Sequence, residues 1–222
     1  MTAGVVRVDD TVRRPGSAAS AFTAALLELL AERGFTAAPK YLGQDESGRD
    51  ILTYVDGWVP ARFQRWSDVQ VAAAGALLRA FHDATAGTAL AGASPVVCHH
   101  DAAPNNFVFD QDLPAAIIDF DLAAPGDPLE DIGYAAWTWC IASKHADPDR
   151  QAHQVRVFAD AYGLTSSQRR SVIPATQVAQ LHNVTFWQQT PCDPADAAER
   201  IAWSRREHAF ITANRQTFEA AL

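Results

Sequence analysis

The stretch between residues 96 and 121 constrains the fold more than any other part of the chain. It contains three short apolar segments of strand-forming composition, separated by a polar loop and a turn. The apolar segments are 96–98, 107–109 and 115–118, the loop is HHDAAPNN at 99–106, and the turn is DQDLP at 110–114. This order predicts a strand, a loop and a β-hairpin in close succession, with several strand ends meeting at one place.

The polar loop and the end of the hairpin both carry oxygen ligands. Asp101 and Asn106 lie in the loop, and Asp119 follows the last apolar segment. Because the two strands of a hairpin keep their open ends together, we expect Asn106 and Asp119 to reach a common cation. Phosphoryl transfer needs one carboxylate to orient the attacking hydroxyl, with an amide oxygen and a second carboxylate to hold Mg²⁺. The alternative interpretation is that these side chains only cap turns.

The segment 97–137 resembles the catalytic half of the aminoglycoside phosphotransferase and choline kinase family, whose fold is similar to that of protein kinases. The family pattern is His-x-Asp-x-x-x-x-Asn, a hydrophobic strand, Ile-Asp-aromatic, Gly-Asp-Pro and a further Asp. The matching residues here are His99, Asp101, Asn106, Ile118-Asp119-Phe120, Gly126-Asp127-Pro128 and Asp131. The resemblance implies that Asp101 is the catalytic base and His99 an orienting residue. It also implies Asn106 and Asp119 as Mg²⁺ ligands, and Asp131 as a structural acid behind the loop.

The fold implied by the resemblance is α+β and two-lobed, like that of protein kinases. A small, truncated, strand-rich N-terminal lobe is expected over residues 1–57, and a larger, mainly helical C-terminal lobe over 58–222. In the first lobe the pattern predicts strands at 5–8, 11–14, 40–43 and 51–55, and a helix capped by Ser17 or Ser20 and ending at Gly34. In the second lobe it predicts helices from Ser67 to 83, over 132–143, 149–162 and 166–189, and from 194 onward.

The same resemblance implies ATP or GTP as the phosphoryl donor, held by the first lobe. Backbone groups of a hinge at 53–56, which includes Tyr54 and Val55, are expected to bind adenine. The family's phosphate-binding lysine has no counterpart, because neither lysine of this chain lies on the appropriate strand. Arg14 is the nearest cationic substitute, and it can fork across two phosphate oxygens. The alternative interpretation of Arg14 is an exposed arginine at a strand end.

Two further features depart from the family pattern. Only Gly4 precedes the first strand, where the family has a glycine-rich turn over the phosphates. Thr23 occupies the helix position of the acid that pairs with the lysine, while Glu28 and Glu32 lie nearer the helix end. These departures support an alternative, a kinase-like binding or immunity protein with weak or no turnover. Retention of all three magnesium-site groups favours an ATP-dependent phosphotransferase acting on a hydroxyl.

Composition restricts the partners. The chain has 222 residues, and its apolar fraction of 48% excludes a disordered chain. Its net charge of −8 argues against binding to nucleic acids or anionic membranes, which would need a basic surface. The three cysteines are odd in number and widely spaced, so no disulfide framework or zinc site is indicated. With no secretion signal or membrane span in the sequence, we expect a cytoplasmic protein that binds a nucleotide and a small hydroxyl-bearing substrate.

Two other chemistries share parts of the central motif. His99 and Asp101 have the spacing that begins the facial triad of iron-dependent oxygenases, which also needs a distal histidine and a jelly roll of strands. The helical pattern after Asp131 argues against it. Cys98 and His99 can be taken as a nucleophile and base, but adjacent residues of a strand point to opposite faces.

The acceptor is less constrained. Two groups of residues near the C-terminus are candidates, an acidic cluster for a cationic ligand and an aromatic box for a quaternary amine. They are Asp193, Asp196, Glu199 and Glu207, and Trp137, Trp139, Trp187 and Trp203. A solvated helix face and core packing are the respective alternatives. The family resemblance suggests aminoglycosides, choline-like alcohols or sugars.

Overall fold

The computed structural model describes residues 4–60, 64–145 and 147–222. The chain forms two compact units. Of the described residues, unit 1 comprises 4–60 and 77–127, and unit 2 comprises 64–76, 128–145 and 147–222. A long helix over Asp68–Thr85 contributes its first half to unit 2 and its second half to unit 1. The assignment of residues 1–57 to a nucleotide-binding lobe stays a prediction.

Unit 1 opens with an antiparallel sheet of four strands in the order β1-β2-β4-β3. The strands are β1 (Val6–Val8), β2 (Thr11–Arg14), β3 (Tyr41–Gln44) and β4 (Asp50–Thr53). β1 and β2 form the predicted hairpin around Asp9 and Asp10, with Asp9 in the left-handed region at φ 52°. In the turn between β3 and β4, the Asp45 carboxylate accepts hydrogen bonds from the N–H groups of Ser47 and Arg49. All four strand predictions of this region are confirmed to within two residues.

Helix α1 (Ser20–Glu32) packs three leucines, Leu26, Leu27 and Leu30, into the core of unit 1. The predicted serine cap is wrong, because the helix begins after Ala19 and no side chain caps it. The Ser20 hydroxyl instead donates a hydrogen bond of 2.6 Å to the carboxylate of Asp50 on β4. The Ser20 side chain, which the local pattern assigns to the helix cap, therefore bonds Asp50 of another element instead.

The polar loop is framed by two pairs of antiparallel strands in unit 1. They are β5 (Val96–Cys98) with β8 (Ala124–Gly126), and β6 (Phe107–Asp110) with β7 (Leu113–Ile117). The strands predicted at 96–98, 107–109 and 115–118 are confirmed to within two residues, and the turn predicted at 110–114 is shorter, since β6 ends at Asp110 and β7 begins at Leu113. β8 was not predicted, because the sequence Ala-Pro-Gly has little strand propensity and pairs only through its contact with β5.

The second half of α2 (Asp68–Thr85) packs against the residues that frame the polar loop. Phe81 is fully buried, and its ring centroid lies 6.1 Å from that of Phe35 and 5.6 Å from that of Phe120. The ring of His99, the first residue of the polar loop, lies 6.4 Å from that of Phe81. The helix predicted from Ser67 is thus present, and its Phe81 ring packs against the first residue of the loop.

Unit 2 is helical throughout its regular structure. Besides the first half of α2 it contains α3 (Pro128–Ala135), α4 (Pro148–Tyr162), α5 (Ser166–Gln189), α6 (Pro194–Ala213) and α7 (Arg215–Ala220). α3 and α6 both pack against α5. Gly133 permits a close approach of α3, since a Cβ there would meet the Ala175 backbone of α5 at 2.5 Å. Asp131, the structural acid implied by the family resemblance, is fully buried in the first turn of α3.

The helix predicted over 132–143 is partly wrong. α3 passes into a π-helical turn at Ala136–Cys140, after which the chain becomes extended at Ile141. The Gln151 side chain of α4 bonds the Ala142 backbone, accepting from its N–H at 2.9 Å and donating to its carbonyl at 3.2 Å. This side-chain partner replaces the helical hydrogen bonds that Ala142 would otherwise make. No described helix combines the length and apolar character needed to cross a membrane.

Candidate functional site

Four strand ends of unit 1 meet where the polar side chains lie. Cys98, at the end of β5, pairs with Ala124 at the start of β8. Phe107, at the start of β6, pairs with Ile117 at the end of β7. The loops 99–106 and 118–123 therefore both emerge from paired strand ends, which is how residues far apart in sequence come to share one site.

Asn106 and Asp119 are brought together by the open end of the β6–β7 hairpin. The Ile118 N–H donates to the Asn106 carbonyl at 2.9 Å, which extends the strand pairing by one residue. Asp119 is the next residue after Ile118. The predicted hairpin is thus present, while a common cation for Asn106 and Asp119 stays a prediction.

The side chain of Asn106 also orients Asp101. Its Nδ2 donates to the Asp101 carbonyl and to the Asp101 Oδ2, both at 2.8 Å, and the residue is 3% exposed. The Asn105 Nδ2 donates to the Asn106 Oδ1 at 3.0 Å, which fixes the amide with its oxygen away from Asp101. One carboxylate and one amide oxygen are thereby held in defined directions within a single loop.

His99 joins the two loops and is completely buried. Its Nδ1 accepts from the Asp101 N–H at 3.2 Å, so its Nε2 is the donor to the Ile118 carbonyl at 3.0 Å. This ring therefore fixes the backbone at Asp101 in the first loop and at Ile118, the residue before Asp119, in the second. Both ring nitrogens are engaged with the backbone, and the Cys98 thiol bonds the Asp127 carbonyl at 3.2 Å, so a Cys98–His99 nucleophile pair is excluded.

Replacing His99 with leucine is expected to destabilise the fold. The substitution leaves the Asp101 N–H and the Ile118 carbonyl without their ring partners, which costs about 1 to 3 kcal/mol of unfolding free energy. Urea denaturation of the variant measures this loss. His182→Leu, the same change at an exposed position of α5, is the control and should stay within about 0.5 kcal/mol of wild type. Equal effects of the two substitutions would contradict the assignment of His99 as the link between the loops.

Two residues of the site have left-handed backbone conformations that are unfavourable for side chains other than glycine. His100, just before Asp101, has φ 60°, and Asp119 has φ 67°. Each costs about 1 to 3 kcal/mol, which the surrounding structure must supply. The Nδ1 of His100 is held by the Leu122 carbonyl at 3.1 Å. Such strain is concentrated at functional sites, and here it aims the two candidate carboxylates.

The electrostatics around Asp119 favour a cation. Although the residue is exposed as a whole, desolvation raises the pKa of its carboxyl, and the Asp121 and Asp101 carboxylates raise it further. His99 and Arg14 act in the opposite direction and lower the pKa. Three carboxylates that repel one another around one point indicate a site at which a positive ion is stabilised.

Arg14 faces this site from β2. Its Nη1 pairs with the Asp121 carboxylate, and its Nε lies 3.4 Å from the Asp50 Oδ2. The arginine side chain is only 11% exposed, so the interpretation of Arg14 as an exposed strand-end residue is wrong. Thr23 also reaches this region, where its hydroxyl donates to the Phe120 carbonyl at 3.3 Å. The sequence pattern does not assign Asp50 or Asp121 to the site, and the only sequence signal for Asp50 is an acid immediately before a predicted strand.

The predicted adenine-binding residues lie just after β4. The Tyr54 N–H donates to the Asp10 carbonyl at 2.8 Å, and the Arg7 guanidinium lies 3.5 Å above the Tyr54 ring. Val55 is half-buried. The Tyr54 N–H is therefore already bonded within unit 1, and the binding of adenine by this segment stays a prediction.

Unit 2 contains a cavity of about 470 Å³ that includes some of the C-terminal candidates. Its lining includes Trp187, Trp203, Asp196, Glu199 and Glu207, together with Lys144, Arg200 and Arg206. Acidic and basic side chains are equal in number, so the cavity has no net preference for a cation. The remaining candidates are structural: Trp137 is buried and stacks on Trp203 at 4.5 Å, Trp139 packs on Trp66, and Asp193 caps α6.

The oxygenase interpretation is inconsistent with this architecture. All described helices after residue 127 belong to unit 2, where the regular structure is helical and no jelly roll of strands is present among the described residues. The oxygen ligands of the polar loop are therefore not part of an iron-dependent oxygenase site.

The model of the phosphotransferase enzyme family matches residues 52–172, which include the whole polar loop and Asp119. The chain belongs to this family. It is 30% identical to the trifolitoxin immunity protein of Rhizobium leguminosarum bv. trifolii, over 98% of this chain and 94% of that protein. Arg14 and Asp50 precede the matched region.

Solved structures place the chain in the kinase-like fold. A choline/ethanolamine kinase family protein from Mesorhizobium loti is similar with a TM-score of 0.63 and 19% identity, over 98% of this chain and 88% of that one. A spectinomycin phosphotransferase in complex with ADP and spectinomycin is similar with a TM-score of 0.63 and 13% identity, over 96% and 88%. The predicted fold, a mixed α and β structure with a small strand-rich N-terminal part, is confirmed.

Proposed function

We propose that the protein is a magnesium-dependent phosphotransferase that moves the γ-phosphate of a nucleoside triphosphate to a hydroxyl of a small molecule. The observation that carries this proposal is the convergence of Asp101, Asn106 and Asp119 at paired strand ends of unit 1. Family membership supports the reaction class. The proposed localisation is the cytoplasm, and no nucleic-acid or membrane partner is proposed.

Asp101 is proposed as the catalytic base. Its Oδ2 accepts from Asn106, which fixes the direction in which the carboxylate would orient an acceptor hydroxyl and take its proton. His99 positions this carboxylate through the Asp101 N–H. It is not proposed to accept the proton of the acceptor hydroxyl, because both of its ring nitrogens are hydrogen-bonded to the backbone. In this proposal Asp101 aligns the acceptor hydroxyl, and Asn106 and His99 fix the direction of Asp101.

Asn106 and Asp119 are proposed as the residues that hold Mg²⁺. The fit is supported by the donor set, which is all oxygen as Mg²⁺ prefers, and by the mutual repulsion of carboxylates that raises the pKa of Asp119. When bound, the ion neutralises the charge that develops on the transferring phosphoryl group. Arg14 is proposed to contact the phosphates, and the segment with Tyr54 and Val55 to contact the base, with ATP or GTP as donor.

A second candidate function is a kinase-like immunity protein that acts by binding. It is favoured by the similarity to the trifolitoxin immunity protein and by the absence of a lysine at the position of Arg14. The two candidates are not mutually exclusive, because modification of a toxic molecule by phosphorylation would also confer immunity. Turnover distinguishes a phosphotransferase from a binding protein.

Phosphorus-31 NMR of the wild-type protein with Mg²⁺ and ATP or GTP tests the proposal. The acceptor panel contains aminoglycosides, choline-like alcohols and sugars, in keeping with the family resemblance and with the names of the structural neighbours. We expect a phosphate monoester to form with one acceptor class and not in the Asp101→Asn variant. Nucleotide binding without any transfer across the panel would favour the binding protein.

A further inference from the structure

Asp50 is a buried carboxylate at the start of β4, in the sheet of unit 1. It is 1% exposed and lies directly opposite Arg14 in the pairing of β2 with β4. Because opposed residues of two strands point to the same face, the carboxylate and the guanidinium meet, with 3.4 Å between Asp50 Oδ2 and Arg14 Nε. An isolated buried carboxylate is strongly unfavourable, so the pair is retained against an energetic cost.

Two neutral donors fix the direction of this carboxylate. The Ser20 hydroxyl of α1 donates to Oδ2 at 2.6 Å, and the Gln44 amide of β3 donates to Oδ1 at 3.1 Å. Neither donor carries charge, so the negative charge of Asp50 remains available to Arg14. The carboxylate is thereby held by one helix and by one neighbouring strand of the sheet.

Arg14 has a second partner of a different kind. Asp121, two residues after Asp119, is 44% exposed, whereas Asp50 is almost inaccessible. An exposed ion pair is weakened by solvent and salt much more than a buried one. The buried Asp50 is therefore the partner that solvent and salt weaken less, although its contact with Arg14 Nε is an ion pair without a hydrogen bond. The exposed Asp121 side is the one at which phosphate oxygens can replace a carboxylate.

We propose that Asp50 is the positioning residue that holds Arg14 toward the nucleotide phosphates, in the role for which this chain lacks a helix acid. The inference rests on the proposed function. On α1, Thr23 occupies the position of that acid in the family pattern, and its hydroxyl donates to the Phe120 carbonyl. In this proposal the Asp50 carboxylate on β4 and Arg14 on β2 form the ion pair that the helix acid and the lysine form in the family pattern.

Asp50→Asn tests the proposal through nucleotide affinity. Calorimetric titration with Mg²⁺ and a non-hydrolysable ATP analogue is expected to show affinity lowered about 10- to 100-fold, as for partners that orient a binding group. In the phosphotransfer assay KM for the nucleotide rises, while KM for the acceptor is unchanged. Glu46→Gln removes the same charge from the exposed turn between β3 and β4 and should behave as wild type.

A double substitution separates a positioning role from a purely structural one. If Asp50 acts through Arg14, Asp50→Asn has no further effect on nucleotide affinity in an Arg14→Met background. Ser20→Ala removes one hydrogen bond from Asp50 and keeps both charges, so it should lower the affinity by a smaller factor. This variant provides the test if Asp50→Asn does not fold.

The outcomes separate the two proposals. A folded Asp50→Asn variant with wild-type affinity overturns the role of Asp50, as does wild-type affinity of Ser20→Ala if Asp50→Asn is unfolded. An equal loss of affinity from Asp50→Asn in the wild-type and Arg14→Met backgrounds also overturns it. Failure of the wild-type protein itself to bind nucleotide with Mg²⁺ overturns the proposed function instead.

Discussion

Asp101→Asn is expected to lower kcat by about 10²- to 10⁴-fold, the usual contribution of a positioned general base. The substitution is conservative in geometry, because an asparagine oxygen at this position can still accept the hydrogen bond that Asn106 donates at 2.8 Å. What is lost is the charge and basicity of the carboxylate that faces the acceptor hydroxyl. Nucleotide binding depends on other residues and should change little.

Steady-state phosphotransfer and calorimetric nucleotide titration measure the two halves of this prediction. Asp112→Asn, which removes an exposed carboxylate from the turn between β6 and β7, is the matched control and should leave both quantities unchanged. An Asp101→Asn variant with kcat close to that of wild type would refute the assignment of Asp101 as base. A parallel loss of nucleotide affinity would show that the carboxylate serves the donor rather than the acceptor.

Asp119→Asn is expected to abolish magnesium-dependent nucleotide binding and, at the same time, to stabilise the metal-free protein at neutral pH. Removal of a metal-ligating charge should lower the affinity for the metal–nucleotide complex by about 10²-fold or more, beyond the effect of losing an outer partner. Stabilisation follows because the surroundings of Asp119 disfavour its ionised form. Desolvation and the carboxylates of Asp121 and Asp101 raise its pKa above the ordinary value of 3.8.

The sign of the pH dependence follows from this shift. A carboxyl whose pKa is higher in the folded than in the unfolded state binds its proton more tightly when folded. Stability therefore falls as the pH rises from the ordinary value near 3.8 through the raised pKa of Asp119, and the loss is complete above that pKa. The Asn variant avoids this loss, so its advantage in Tm should be present at neutral pH and disappear in acid.

Thermal unfolding of both proteins between neutral and acid pH, without divalent cation, measures this difference. Added Mg²⁺ and nucleotide should then raise the Tm of wild type and not of the variant, because only a protein that binds the ligand is stabilised by it. An Asp119→Asn variant less stable than wild type at neutral pH would contradict the electrostatic description of the site. Retained metal-dependent binding would remove Asp119 as a ligand.

The centre of the site could be predicted from sequence because its geometry is local. The apolar segments around Asp101 and Asn106 are short, and a tight turn follows β6. A tight turn between two short apolar segments predicts that the second strand pairs antiparallel with the first. Asn106 and Asp119 are therefore adjacent for reasons contained in about twenty residues of sequence. The same locality explains why the long helix α5 was predicted at its observed bounds.

The surroundings of Arg14 could not be predicted in this way. Its partner Asp50 is 36 positions away in sequence, and the two meet only because β4 inserts between β2 and β3 in a particular register. A one-residue shift of that register would turn Asp50 to the other face. The Ser20 hydroxyl, expected at a helix cap, is likewise explained only by the position of Asp50.

Calorimetric titration of the wild-type protein with a non-hydrolysable ATP analogue, with and without Mg²⁺, tests the central claim most directly. We predict saturable binding of one nucleotide that requires Mg²⁺ and is lost in Asp119→Asn. It should persist in Asp101→Asn, since the base and the metal ligand have separate tasks. Absence of nucleotide binding by the wild-type protein in the presence of Mg²⁺, with ATP and GTP analogues alike, would contradict the assignment of this site to phosphoryl transfer.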